Sequence, residues 1–467
     1  MARRLPALLS VFLILFSPFL LAADGDDAYL KYQVPGLDKP AIRQADILPL
    51  VQALQNSELL RVEEIAHSYE GRPIISVGIG NGATRVMMWS QMHGDEPTAT
   101  AALFDLLAYI TAPEQAEWRE GWMDELTLMM VPMLNPDGAE RNTRHNAQSF
   151  DVNRDAKALQ SPEGRALMAL AKSFKPDFGF NLHDQNRHYG VGHTDKMATI
   201  SVLAPAYNEA REVNDSRARA MKLIGLLVQE VAPSIDGHIA KYDDTYAWRA
   251  FGDTFSEMGI STILIESGAH PNDPNRQVAR RANVEMLVTA IDSITSRSYE
   301  PVAVAAYEQI PLNRDDAFVD VKIANVRAGA GDNAYRTDIA INHRYGSVKV
   351  VDVGDLSNLY GALSLDADGA RYQPAKPYQL EKALELTDQR YLELLRDGYG
   401  YFVGDTELLV KETRWPVVVN PGNPPGERPA RRQSATFLLS DDTGVRLAVL
   451  DGAVVDVRGG NLLGLAL

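Results

Sequence analysis

The sequence contains no cysteine. The fold therefore does not depend on disulfide bonds, and both thiol catalysis and cysteine-ligated metal sites are excluded. A lipid anchor attached through a cysteine near the amino terminus is excluded for the same reason. The chemistry of this protein has to come from other side chains.

Basic residues are fewer than acidic ones. The chain has 46 lysine and arginine residues against 62 aspartate and glutamate residues, and its net charge is −16 at pH 7. So acidic a chain is a poor candidate for binding nucleic acid or an anionic membrane surface. We interpret the excess of acidic residues as a contribution to solubility rather than as an acidic docking surface.

Long hydrophobic runs are absent after the first residues, so no later segment approaches the ~20 residues that a membrane helix needs. The amino terminus carries Arg3 and Arg4, then an apolar run, then Ala22 and Ala23 before an acidic stretch. This pattern predicts a signal peptide over residues 1–23 and export to the periplasm or the medium. A retained membrane anchor is the alternative, although we expect no stable anchor.

A chain of 467 residues predicts more than one domain. Residues 24–300 alternate between apolar runs typical of buried strands and amphipathic helical patterns, which predicts an α/β/α sandwich. From residue 301 to 467, short alternating runs are separated by Gly, Asp and Asn turns, which predicts a β-rich accessory domain. The predicted strands of the first domain are RPIISVGIG, RVMMWSQM, ELTLMMVPML, DFGFNL and STILIES, and its predicted helices include residues 98–110, 161–174, 208–231 and 275–294.

Polar residues follow three of these predicted strands. His93 and Glu96 come after the strand RVMMWSQM, His183 ends DFGFNL, and Glu266 ends STILIES. Open α/β sheets bind ligands beyond the carboxyl ends of their strands, so we expect these residues at one edge of the sheet. Two imidazoles and one carboxylate form a ligand set for a catalytic zinc ion, which keeps a fourth position open. The sequence therefore predicts a zinc site formed by His93, Glu96 and His183.

Five segments follow one another between about residues 60 and 295: HGDE, NPDGAERNTR, FDVNRD, FNLHD and ILIESG. In this order they resemble the zinc metallocarboxypeptidases of the carboxypeptidase A and B type, here in a bacterial exported branch. The resemblance implies a mixed central sheet, one Zn²⁺ per catalytic domain, and Glu266 as the general base. It also implies that Arg141 stabilises the oxyanion, with Arg144 as the alternative.

The resemblance further implies that Asn153 and Arg154 bind the terminal carboxylate of the substrate. A guanidinium group can bind a carboxylate through two hydrogen bonds, and the amide adds a third donor. Tyr246, or alternatively Tyr242, corresponds to a mobile substrate-binding tyrosine. Phe251 and Asp253 lie where the pocket for the last side chain is expected, and they indicate apolar and basic side chains respectively.

The predicted function is a zinc-dependent exopeptidase that removes C-terminal residues from peptides. The first alternative keeps the zinc site but acts on murein peptides or N-acyl amino acids as an amidase. The second alternative is a non-catalytic protein that binds ligands in a zinc cleft. The expected partner is a peptide or muropeptide with a free carboxylate, and the sequence leaves the oligomeric state open.

Overall fold

The computed structural model describes residues 29–344 and 346–464. The predicted signal peptide, residues 1–23, lies outside the described residues. The chain divides into two compact units. The first comprises the described residues up to Gln185 together with Ala198–Leu312, and the second comprises Asn186–Met197 together with the described part of Asn313–Leu467.

The first unit alternates strands and helices, as the sequence predicts. Its strands are β1 (Arg61–His67), β2 (Pro73–Gly80), β3 (Thr84–Ser90), β4 (Leu126–Val131), β5 (Phe178–Asp184), β7 (Ile200–Leu203), β8 (Ile239–Lys241) and β9 (Ser261–Ser267). Its helices are α1 (Gln44–Leu54), α2 (Thr98–Thr111), α3 (Ala116–Met123), α4 (Pro136–Arg141), α5 (Pro162–Phe174), α6 (Asp215–Val231), α7 (Phe251–Glu257), α8 (Gln277–Ser296) and α9 (Val304–Glu308).

These eight strands form one sheet in the order β1-β2-β4-β3-β5-β9-β7-β8. Strands β4, β3, β5 and β9 are parallel neighbours, whereas β2 and β7 pair antiparallel with this central group. The sheet is therefore mixed, as expected. Its parallel centre consists of almost continuous apolar residues because both of its faces are covered.

Helices cover both faces of the sheet. Alternate residues of one strand separate into two cores: Met88 packs with residues of α2, α6 and α8, whereas Met87 and Trp89 pack with residues of α5 and α7. This arrangement confirms the predicted α/β/α sandwich. It also defines two faces of the sheet, and we call the face that carries Trp89 the α7 face.

Two local features differ from the prediction. Helix α6 begins at Asp215 rather than near residue 208, because Asn214 caps it by accepting a hydrogen bond from Arg217 N at 2.9 Å. The strands β1, β7 and β8 were not predicted. β1 consists of exposed and half-buried residues only, and β7 and β8 span only four and three residues, so none of them produces a long apolar run.

The second unit is rich in β-structure. Its nine-stranded sheet has the order β13-β12-β11-β15-β20-β21-β22-β23, with β14 paired to β11. One helix of more than three residues, α10 (Asp388–Arg396), interrupts the described strands of this unit. The elements are β6 (Gly190–Val191), β10 (Asn313–Arg314), β11 (Phe318–Ala328), β12 (Tyr335–Arg344), β13 (Ser347–Gly354), β14 (Tyr360–Asp366), β15 (Arg371–Pro374), β16 (Lys376–Leu380), β17 (Leu384–Thr387), α10 (Asp388–Arg396), β18 (Tyr399–Gly404), β19 (Leu409–Glu412), β20 (Phe437–Asp441), β21 (Gly444–Leu450), β22 (Ala453–Asp456) and β23 (Asn461–Gly464).

The division between the units differs from the predicted boundary at residues 300 and 301 in two ways. Residues 301–312 stay with the first unit because α9 packs against α6. Residues 186–197 join the second unit because β6 pairs antiparallel with β10. Both contacts join segments that are far apart in the chain, so the local sequence pattern does not reveal them.

Within the described ranges, every helix is too short or too polar to cross a membrane.

Candidate active site

His93 and Glu96 lie on a tight turn between β3 and α2. The chain leaves β3 through Gln91, whose backbone is left-handed with φ of 49°. Gly94 then approaches α4 so closely that a Cβ atom at this position would lie 1.9 Å from the carbonyl carbon of Gly138. Only glycine permits this approach, and the approach determines where the two flanking side chains point.

Side-chain hydrogen bonds hold the turn in place. Gln91 Nε2 donates to the carbonyl oxygen of Gly94 at 3.0 Å, and Asn135 Nδ2 donates to that of Met92 at 3.2 Å. Asn135 also caps α4 by accepting a hydrogen bond from Gly138 N at 2.9 Å. The position of His93 is therefore tied to the rigid ends of β3 and α4.

The three predicted metal ligands meet at the carboxyl ends of the strands. Glu96 joins the two histidines, since its Oε1 lies 2.7 Å from His93 Nδ1 and its Oε2 lies 2.7 Å from His183 Nδ1. One ligand atom from each residue lies within 4.8 Å of the others, and all three residues are buried. Buried imidazole nitrogens and a carboxylate oxygen that converge in this way fit the donor set of a Zn²⁺ ion.

The charges within this cluster shift its pKa values strongly. Burial lowers the pKa of His93, but the Glu96 carboxylate and a hydrogen bond to Asp151 outweigh burial and raise it to about 9. Burial raises the pKa of Glu96, but the His183 and His93 imidazoles hold it well below its usual range. Glu96 is therefore ionised at neutral pH and can act as an anionic ligand.

Glu266 lies beside the cluster through strand pairing. β5 and β9 are parallel neighbours in which His183 is the register partner of Glu266, so the two side chains share one face of the sheet. Desolvation and the nearby Glu96 carboxylate raise the pKa of Glu266 well above its usual value. A raised pKa gives this half-buried carboxylate a higher affinity for a proton than an ordinary glutamate has.

The structure separates the two candidate arginines. Arg141 is exposed at the end of α4, where its guanidinium pairs with Glu70 and donates to the carbonyl oxygen of Asp137 at 3.0 Å. Arg144 instead reaches the three candidate metal ligands, with Nη1 3.6 Å from Glu96 Oε1. The structure thus places Arg144, and not Arg141, beside the three candidate ligands. Asn142, with φ of 49°, ends the helix and turns the chain so that Arg144 faces the ligands.

Asp151 is a site residue that the sequence analysis did not identify. Its Oδ1 lies 3.1 Å from His93 Nε2, and its Oδ2 accepts from Arg144 Nε at 3.0 Å. It therefore orients one metal ligand and the arginine together. The available signal was its position two residues before Asn153 in the FDVNRD segment.

Asn153 lies within the site and Arg154 lies at its edge. Asn153 Nδ2 is 3.4 Å from His183 Nε2, and Asn153 Oδ1 accepts a hydrogen bond from Phe251 N at 3.0 Å. Arg154 is exposed and donates through Nη1 to the carbonyl oxygen of Asn153 at 2.8 Å. The Arg154 guanidinium thus remains accessible to an anionic ligand.

The structure does not bring Tyr246 to the three candidate metal ligands. Its hydroxyl group bonds to the carboxylate of Glu257, so the role of Tyr246 remains a prediction. Phe251 is fully buried, with its ring centroid 5.5 Å from that of Phe255. Asp253 is buried, accepts a hydrogen bond from Ala247 N at 2.9 Å, and has a pKa that burial raises to about 6.

Asp184, the residue after the third ligand, joins the site to two helices. Its Oδ2 accepts a hydrogen bond from Thr98 Oγ1 at 2.7 Å and lies 3.1 Å from Arg276 Nη1. Thr98 is the first residue of α2, which directly follows Glu96 and Pro97. Asp184 thereby connects the strand that carries His183 to the turn that carries Glu96.

The family comparison agrees with this donor set. The model of the zinc carboxypeptidase family matches residues 49–247. Over this range the chain is similar to zinc carboxypeptidases. The matched range contains the three ligands, Asp151 and Asn153, and it ends before Glu266 and β9.

Individual relatives are similar over part of their length. A probable carboxypeptidase 2 from Arthroderma benhamiae is 27% identical over 142 residues, which cover 28% of this chain and 27% of the relative. Carboxypeptidase SOL1 from Arabidopsis thaliana is 25% identical over 144 residues, which cover 27% of this chain and 29% of the relative. The chain thus spans about a quarter of the length of the curated relatives it matches.

Among solved structures, a metallo-carboxypeptidase from Burkholderia cenocepacia aligns with a TM-score of 0.45 and 17% identity. The alignment covers 56% of this chain and 70% of that one.

Proposed function

We propose that this protein is a zinc-dependent exopeptidase that removes the C-terminal residue from peptides. The observation that carries the proposal is the convergence of His93, Glu96 and His183 with Glu266 as the strand neighbour of His183. Three buried ligands beside an acid with a raised pKa are the parts that metal-assisted hydrolysis requires.

The zinc ion would be held by one nitrogen of each histidine and by the Glu96 carboxylate. When bound, zinc supplies a Lewis acid that polarises the scissile carbonyl and lowers the pKa of water. Asp151 supports this arrangement, since its contact with His93 Nε2 leaves Nδ1 on the side of Glu96 and His183. The tautomer that this contact favours places the free lone pair of His93 on Nδ1.

Glu266 acts as the general base in this proposal. Its carboxylate accepts a proton from the attacking water and later delivers it to the nitrogen of the leaving amine. The raised pKa suits both transfers, because a carboxyl group with an ordinary pKa would hold the proton too weakly to return it at neutral pH.

Arg144 stabilises the negative charge that develops on the carbonyl oxygen of the substrate. Its guanidinium lies beside the ligands and is held by Asp151, with Nη2 2.9 Å from Asp151 Oδ2. A donor held in place before the reaction stabilises developing charge without reorganisation. Arg141 has no comparable position, because it pairs with Glu70.

Asn153 and Arg154 provide the preference for a chain end. The exposed guanidinium of Arg154 follows directly after the buried amide of Asn153, which lies beside His183. A carboxylate bound by both groups would position the last peptide bond next to the metal ligands. The amino-terminal pattern of the sequence adds the proposal that the enzyme is exported.

Replacing Glu266 with Gln tests the mechanism. The amide cannot accept the proton, so we expect hydrolysis of N-blocked dipeptides to fall by about 10³-fold or more. Zinc content, measured by atomic emission, should stay near one ion per chain because Glu266 is not a ligand. Wild-type activity in Glu266→Gln would refute the base assignment.

The preference for a chain end has its own test. Peptides with an amidated C-terminus lack the carboxylate that Asn153 and Arg154 bind, so they should resist the native enzyme.

A further inference from the structure

Asn181 is a buried polar residue near the three candidate metal ligands. The proposed mechanism gives it no role. It lies on β5 two residues before His183, on the same face of the sheet, and only 1% of its surface is exposed. Neither Oδ1 nor Nδ2 has a hydrogen-bond partner within the described part of the chain. An amide that is buried without partners destabilises the fold, so its presence requires an explanation.

The neighbours of Asn181 across the sheet are apolar. Its register partners are Trp89 on β3 and Leu264 on β9. A leucine at position 181 would match this surrounding and would avoid burying an amide that has no hydrogen bond. Structural stability alone therefore does not account for an asparagine here.

The sheet is partly open to solvent on this face. Leu264 and Glu266, which alternate along β9 on the α7 face, are both half-buried, whereas Ile263 and Ile265 on the opposite face are fully buried. Leu203, the partner of Leu264 on β7, is also half-buried. The α7 face is therefore less completely covered along β9, beside the row of residues that contains Asn181, than the opposite face is.

Gly252, in the first turn of α7, lies next to the amide of Asn181. A Cβ atom at position 252 would lie 3.6 Å from Asn181 Nδ2 and 3.2 Å from Pro205 Cγ, so the missing side chain lets the start of α7 lie close to this amide. The preceding residue, Phe251, donates its backbone N–H to Asn153 Oδ1. Asn153, which we propose binds the terminal carboxylate, and the unpartnered amide of Asn181 therefore both lie next to the start of α7.

We propose that Asn181 is a specificity-determining residue that hydrogen-bonds the side chain of the last residue of the substrate. The inference rests on the proposed carboxypeptidase function. A carboxylate bound by Asn153 and Arg154, with its peptide bond at the metal ligands, directs the last side chain along the α7 face towards Gly252 and Asn181. The amide of Asn181 offers one hydrogen-bond acceptor and one donor group. These match a neutral substrate side chain that also carries one acceptor and one donor group.

The expected substrate class is therefore peptides that end in a side-chain amide, rather than in an apolar side chain of equal size. A site built to hydrogen-bond its substrate discriminates strongly against an analogue without the polar group, because its own polar group then stays unpaired. Asn and Leu are nearly the same size, and so are Gln and Met. These two pairs separate hydrogen bonding from side-chain volume.

The test compares kcat/KM for N-benzoyl-Gly-Asn with N-benzoyl-Gly-Leu, and for the Gly-Gln peptide with the Gly-Met peptide. The native zinc enzyme should prefer the amide member of each pair by about tenfold or more. Asn181→Leu should reduce this preference at least tenfold, mainly by improving cleavage of the apolar peptides, while zinc content stays near one per chain. A preference that Asn181→Leu leaves unchanged would overturn the inference.

Asn283→Leu is the matched control. Asn283 is fully buried on α8, on the opposite face of the sheet, and its Nδ2 donates to Ser267 Oγ at 2.9 Å. The same substitution there should lower thermal stability without changing the ratio between the two peptides of a pair. If it changed the ratio as much as Asn181→Leu does, the role of Asn181 would be refuted.

Two further outcomes separate this inference from the function on which it rests. If the native zinc-loaded protein cleaves none of the four peptides, the proposed function fails and the inference fails with it. If it cleaves them with no amide preference, only the inference fails. Should Asn181→Leu not fold, Asn181→Ala gives the same decision, because it removes the amide without adding volume.

Discussion

Asp320 in the second unit and Glu266 in the first show two different uses of a carboxylate on a strand. Asp320 is 1% exposed, and its oxygens accept hydrogen bonds from Arg187 Nη2 at 2.5 Å, His188 Nε2 at 2.9 Å and His343 N at 2.6 Å. Burial raises its pKa, but His188 and Arg187 outweigh burial and hold the pKa below its usual value. Glu266 has no such donors among the described residues, and its pKa is raised.

The difference shows what hydrogen-bond donors do to a buried acid. An acid surrounded by donors is held in its ionised form and anchors the backbone around it. An acid placed beside another carboxylate and given no donors retains a strong affinity for a proton. Asp320 is thus suited to joining residues 186–197 to β11, whereas Glu266 is suited to transferring protons.

The largest expected effect is the loss of the metal from the first unit. Glu96→Ala removes the carboxylate that contacts both histidines, so zinc content should fall below one-tenth of an ion per chain. Peptide hydrolysis should fall by about 10³-fold or more, and added chelator should do the same to the native enzyme. Metal analysis and steady-state kinetics measure both effects.

Asp320→Ala provides the control for that experiment. It removes a carboxylate from the second unit and should leave zinc content near one per chain. Full zinc content in Glu96→Ala would show that Glu96 is not a ligand.

The next effect distinguishes the two arginines. Arg144→Ala removes a donor beside the ligands, so kcat/KM should fall by about 10²–10³-fold, mainly through kcat. Arg141→Ala removes only an exposed pair with Glu70, and kcat/KM should stay within about threefold of the native value. Steady-state kinetics on one N-blocked dipeptide measures both variants, and the reverse ranking would restore Arg141 to the site.

The smallest effect concerns stability. Asp320→Ala leaves Arg187 and His188 without their shared partner, so the free energy of unfolding should fall by about 2–4 kcal/mol at pH 7. Because the folded pKa of Asp320 is lowered, its stabilising contribution is present above the unfolded pKa of about 4. That contribution is lost as the pH falls through the folded pKa, so the two proteins should converge in acid. Urea unfolding between pH 3 and pH 7 measures the difference.

Asp292 in the first unit is the control with the opposite sign. Burial raises its pKa to about 6 although Trp118 Nε1 donates to it at 2.7 Å. Ionised Asp292 therefore destabilises the fold above pH 6, and Asp292→Asn should be more stable than the native protein there by about 1 kcal/mol. That gain should disappear as the pH falls from 6 to 4. If the stability difference between Asp292→Asn and the native protein grew as the pH fell, the raised pKa of Asp292 would be contradicted. If the difference for Asp320→Ala grew in acid, the lowered pKa of Asp320 would be contradicted.

The sequence predicts the parts of the fold that depend on local pattern. β3, β5 and β9 are mainly apolar runs that end in polar residues, so both the strands and the edge that carries the ligands were predictable. β7 and β8 span only a few residues and depend on pairing with distant segments, as does β6 with β10. No local pattern marks those pairs.

The site was predictable in its ligands and not in its arginine. Arg141 and Arg144 lie three residues apart in one segment. The sequence alone does not show which of them reaches the ligands. The choice depends on Asn142, whose left-handed conformation ends α4 and directs the two side chains to different places. Asparagine only favours that conformation, so the direction of the turn is visible in the structure alone.

The close contact between Gly94 and Gly138 bears on how inactive homologues are recognised. A side chain at either glycine would force the backbone apart, since a Cβ at position 138 would also lie 2.7 Å from the carbonyl oxygen of His145. Such a chain could keep every ligand, base and arginine and still be unable to assemble the site. A survey of related genes for lost catalysis should therefore score these two glycines together with the ligand triad.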